Sequence, residues 1–195
     1  MWRWILIALL ALGAWHWWST REVARPPGIL VAASPVQVDI GDSEPHLSKP
    51  GYRITPLERF SLEARVLSAE PYWFDRGAEL APVDLALGWG PMSDTAVLDR
   101  ISISQSGRFY FWHVDRFPIP RHDIEVNSAN MHMIPADANI AHTLKSIRVG
   151  QVVRLSGYLV DVAAPDGFHW RSSLTRNDTG NGACELVWVE DLQVM

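Results

Sequence analysis

The chain has 195 residues, with 17 Lys and Arg against 22 Asp and Glu and a formal net charge of -5. Its basic residues are scattered, and the lysines are only Lys49 and Lys145. The basic stripe that grips a phosphate backbone is therefore missing, and nucleic acid is not an expected partner. A single cysteine, Cys184, excludes an intrachain disulfide and any Cys-pair zinc site.

The first predicted element runs from Trp4 to Trp18, "WILIALLALGAWHWW", an uncharged run with Arg3 before it and Arg21 and Arg25 after it. Its fifteen residues are at the lower limit for crossing a ~30 Å hydrocarbon core. Apolar residues occupy every face, so the pattern is not that of an amphipathic helix packed on a core. Trp2 and Trp4 at one end, and Trp15, Trp17 and Trp18 at the other, are placed like interfacial aromatic belts. Bulky indoles stand where a signal peptidase requires small residues. Residues 1–20 are thus expected to be an uncleaved single-pass anchor (a signal-anchor) in the cell inner membrane. The remainder is expected to face the periplasm or the outside.

Residues 21–56 hold Pro26, Pro27, Pro35, Pro45, Pro50 and Pro56 and read as an extracytoplasmic stalk, with one short strand near Val36–Ile40. Residues 57–195 read as a single β-rich globular domain. In "RFSLEARVL", Phe60, Leu62, Ala64 and Val66 share one face of a half-buried strand. Pro82 to Leu87 reads as a short helical turn with Asp84 at its N-terminus, and Ser93 as the cap of the helix after it. "ISIS" and "RFYFWHV", joined by "QSG", read as a hairpin.

"DIEVNSANMHMIP" reads as extended up to Pro135, and "ADANIAHTLKSI" as an amphipathic helix through Ile140, Leu144 and Ile147. "QVVRLSGYLVDV" then sets Val153, Leu155, Gly157 and Leu159 on one face. This apolar-x-apolar-x-Gly-x-apolar strand after a helix resembles the strands of OB-like barrels. With "FHWRSSLT" and "CELVWVEDLQV", the expected fold is mainly β with one or two short helices, a small OB-like barrel or curved sheet.

No catalytic signature stands out, so no catalytic residue, metal or cofactor is expected. His113 and Asp115, two apart on a strand, match no known metal spacing. Cys184 reads as a small core hydrophobe. The binding residues expected are Trp89, between Gly88 and Gly90, as a ligand platform; His132 with Asn130, as a polar cleft; and Arg171 with Arg176, flanking "NDTGNG", as an anion site. Trp89 has a competing reading as a corner packed into the end of the barrel. The architecture points to a membrane-anchored accessory or binding module for a protein partner or small ligand. A membrane-tethered hydrolase using a His/Asp site and a structural subunit of a membrane complex are the alternatives.

Overall fold

The computed structural model of the chain describes residues 2–41, 45–175 and 184–195. The protein is mainly β, with short helices and a large mixed sheet. In chain order the elements are α1 (Trp2–Thr20), β1 (Val36–Asp39), β2 (Ser48–Lys49), β3 (Tyr52–Pro71), α2 (Arg76–Leu80) and β4 (Val83–Gly88). Then come a 3-10 turn (Gly90–Ser93), α3 (Thr95–Leu98), β5 (Ser102–Ser106), β6 (Phe109–His113), α4 (Arg121–Val126) and β7 (Ser128–Pro135). The last are α5 (Ala138–Ser146), β8 (Val152–Ala163), β9 (His169–Arg171) and β10 (Glu185–Val194).

Pairing follows β3-β4-β7-β10-β8 and returns to β3. All of these contacts are antiparallel except β7 with β10, which is parallel. The long strand β3 closes this circuit because it bends: irregularities at Pro56/Glu58 and Val66/Ser68 let residues 53–65 pair with β8 and residues 65–71 with β4. Gly157 permits a second tight passage, since a Cβ there would stand 1.8 Å from the Trp188 carbonyl oxygen.

Period-two alternation sorts the side chains. Phe60, Leu62, Ala64, Val66, Val83, Leu85, Leu87, Met131, Met133, Val153, Leu155, Leu159, Val187 and Val189 form one buried cluster. Opposite-facing positions of the same strands form two further clusters. One holds Ile134, Val160, Val162, Leu186 and Trp188, and the other Ala86, Met92 and Ile124 beneath Ile103 and Tyr110 of the β5–β6 hairpin. Helix α5 joins β7 to β8, capped by Asp137 accepting from the amides of Asn139 and Ile140, with Leu144 buried.

Three local expectations change. Residues 83–88 are strand β4, and the helical turn falls earlier, at Arg76–Leu80, capped by Asp75. All six residues of β4 are buried, which hides the alternation that would have marked it as a strand. Asp94, not Ser93, caps α3 by accepting from Ala96 N. Ser93 is buried and accepts from the amides of Leu30 and Val31 while donating to Gly90 O. The "DIEV" segment is helical, as part of α4 with Pro120 at its N-cap, and only Ser128–Pro135 is extended.

The proline-rich segment lies against the body. Val23 N donates to Val149 O, Gly90 N donates to Val31 O, Arg25 donates to Gly150 O, and Val31 joins the largest buried cluster. By contrast, the described side chains of α1 are exposed, with Trp2 at 74% and Trp4 at 75%. Among the described residues, no helix is long and apolar enough to cross a membrane.

Candidate functional site

In the β4–β7 pair, Asp84 lies directly opposite His132, and Ala86 opposite Asn130. Leu85 and Met131 turn toward the largest cluster, so by alternation Asp84, Asn130 and His132 face the other side. There they form a polar seam between the two smaller apolar clusters, flanked by Ala86 and Ile134.

Both members of the central pair are out of solvent, Asp84 at 0% and His132 at 3% exposure. His132 Nδ1 and Asp84 Oδ2 approach to 2.9 Å. The contact is a close ion pair without the alignment of a hydrogen bond, since neither atom has a hydrogen-bond partner. Burial, the largest single influence, pulls the imidazole pKa down. The contacts to the Asp84 carboxylate and the Cys184 sulfur outweigh it and push the value up to about 9. His132 is therefore an imidazolium at neutral pH.

Asp84 receives a second cation from the β5–β6 hairpin. Its two-residue loop, Gly107 and Arg108, has both residues at positive φ (58° and 72°), the conformation that two-residue hairpins favour. For Arg108 this backbone costs on the order of 1 kcal/mol, and the side chain's contacts offset it. Its guanidinium donates to Asp84 Oδ1 and Ala81 O, both at 2.9 Å, contacts Asp75 Oδ1 at 3.3 Å, and stacks 3.6 Å from the Tyr72 ring centroid. One carboxylate thus holds a guanidinium on one oxygen and an imidazolium on the other.

Asn130 ties the hairpin to the seam. Its Oδ1 accepts from Gln105 Nε2 at 2.6 Å, and its Nδ2 donates to Arg108 O at 3.0 Å and to Cys184 Sγ at 3.7 Å. Cys184, partly exposed just before β10, therefore touches both Asn130 and His132. Trp170 of β9 closes the remaining side, its ring 4.6 Å from the imidazole at 49°.

The residues expected from the sequence separate accordingly. His132 and Asn130 meet in the seam. Trp89 is 1% exposed and packs in the largest cluster, with its amide donating to Asn127 O. Arg171 follows Trp170 on a strand and so faces the opposite way; its side chain is 70% exposed and lies 3.4 Å from Asp161. Arg176, with the "NDTGNG" loop, lies outside the described residues. His113 and Asp115 lie 3.6 Å apart in full solvent.

Asp84, Arg108, Tyr72, Trp170 and Cys184 were not anticipated. One signal for Asp84 was present: a lone carboxylate inside the otherwise apolar run "PVDLALG" is the pattern of a buried, paired charge. Among the described residues, no group of three or more His, Cys, Asp and Glu side chains is arranged to hold a metal ion. No protein-family model matches the chain, and no curated protein or solved structure is significantly similar to it.

Proposed function

We propose that this protein is a membrane-anchored extracytoplasmic accessory module, whose OB-like barrel binds a small ligand or a partner's side chain on its outer face. Taking β3, β4, β7, β8 and β10 as strands one to five, the circuit reads one-two-three-five-four. A helix joins strands three and four, and strands three and five run parallel. OB folds bind on the face of strands two and three, between the one-two and four-five loops. The observation that carries the proposal is the match between that surface and the seam. Asp84 comes from strand two, and Asn130 and His132 from strand three. Tyr72 and Asp75 belong to the one-two connection, Trp170 and Cys184 to the four-five connection.

The uncovered apolar side chains of α1, from Trp2 to Leu12, support the anchor. Such a surface is stable only in an apolar medium or against a partner. Two measurements test the proposal. The full chain stays with membranes through carbonate extraction, and a variant lacking residues 2–18 is released; retention of that variant overturns the anchor. Trp170→Ala abolishes co-purification of the bound partner or ligand without lowering the melting temperature; unchanged binding overturns the assignment of this face.

A further inference from the structure

The seam carries a nucleophile as well as a binding surface. We propose that Cys184, His132 and Asp84 form a thiol–imidazole–carboxylate site that attacks acyl carbonyl groups, with ester or thioester electrophiles as its ligand class. The inference rests on the reading of this outer face as the site, but not on the anchor or on the identity of any partner.

The order of contacts is what a nucleophilic thiol requires. The imidazole touches the sulfur on one side and, at 2.9 Å, the carboxylate on the other. Asp84 is fixed in turn by Arg108, so the ring has little freedom to turn away. Trp170 covers the ring face, and the imidazole is almost out of solvent while Cys184 remains partly exposed. The groups facing the imidazole are Asp84 from β4, Asn130 from β7, Trp170 from β9 and Cys184 before β10, with Arg108 behind the carboxylate.

The step balances without a further reagent. The sulfur bonds to the carbonyl carbon as the bond to the alkoxide or thiolate leaving group breaks. His132, already protonated, gives its proton to the leaving group and takes up the proton that the thiol releases, so it ends the step as it began. The products are S-acylated Cys184 and a free alcohol or thiol. Asn130 Nδ2, 3.7 Å from the sulfur, is the nearby donor for the developing oxyanion.

The test uses the full chain in detergent micelles, with p-nitrophenyl acetate as acyl donor and glutathione as reference thiol at pH 7. Cys184 is expected to acetylate roughly tenfold faster than glutathione, with the acetyl group found by mass spectrometry on the peptide containing Cys184. His132→Gln is expected to bring the rate to that of glutathione or below while circular dichroism stays unchanged. A wild-type rate no greater than that of glutathione overturns the proposal, and so does a folded His132→Gln protein that keeps the wild-type rate. If His132→Gln does not fold, the wild-type comparison still decides. Slow acetylation beside intact partner binding would remove the chemistry and leave the binding face standing.

Discussion

Asp84 and His132 face each other across the β4–β7 pair, carboxylate to imidazolium at 2.9 Å, with Arg108 on the other carboxylate oxygen. Removing the charge from such a buried centre leaves the imidazolium without a counter-ion and Arg108 with Asp75 alone, which costs about 3–5 kcal/mol. Asp84→Asn is expected to lower unfolding free energy by that amount in a urea titration. A loss below about 1 kcal/mol would mean that the seam contributes little to stability.

The same pair makes stability depend on pH. The imidazole pKa of about 9 in the folded protein stands above the ~6.5 of an unfolded histidine. A raised value means that the native state binds the proton more tightly. Its contribution is complete below pH ~6.5 and is lost as pH rises through about 9. Unfolding free energy should fall across that window in the wild type, and Asp84→Asn should flatten the slope. A wild-type protein equally stable at both ends contradicts the raised imidazole pKa.

Trp89 lies in the largest buried cluster, so truncating it opens a cavity rather than clearing a ligand platform. Trp89→Ala is expected to cost about 3–5 kcal/mol and Trp89→Phe considerably less, both read by thermal melts. A Trp89→Ala protein that melts normally but loses its ligand would restore the platform reading.

Gly157 has no room for a methyl group, because the Trp188 carbonyl oxygen occupies that space. Gly157→Ala should destabilise by about 4 kcal/mol or more, seen as loss of soluble protein or of cooperative melting. The contrasting change Gly167→Ala, where nothing lies within 4 Å of an added Cβ but φ is +89°, should cost about 1 kcal/mol.

What the sequence made legible was periodic. Phe60 to Val66 and Val153 to Leu159 announced strands because one face of each is buried, and Ile140 and Leu144 announced α5 because it lies on the body. Strand β4 was illegible because both of its faces are covered, so a buried carboxylate looked like a helix-terminal charge. The site was harder still. Asp84, Arg108, His132 and Cys184 come from separate segments, and only strand pairing and a hairpin turn bring them together. His132 and Asn130 could be singled out locally because polar residues at alternate positions stood out against Met131 and Met133.

Strand β10 sits between β7 and β8, although it is the last of the five to be synthesised. Until residues 185–194 arrive, the circuit has two open edges, and the hydrogen-bonding groups of β7 and β8 must wait in water. The pairing of β7 with β10 also spans a long stretch of chain, which makes it slow to form. Assembly of the seam is therefore a late event. Cys184 reaches His132 only as the final strand slots home, so a half-made chain has its acid and imidazole without its thiol.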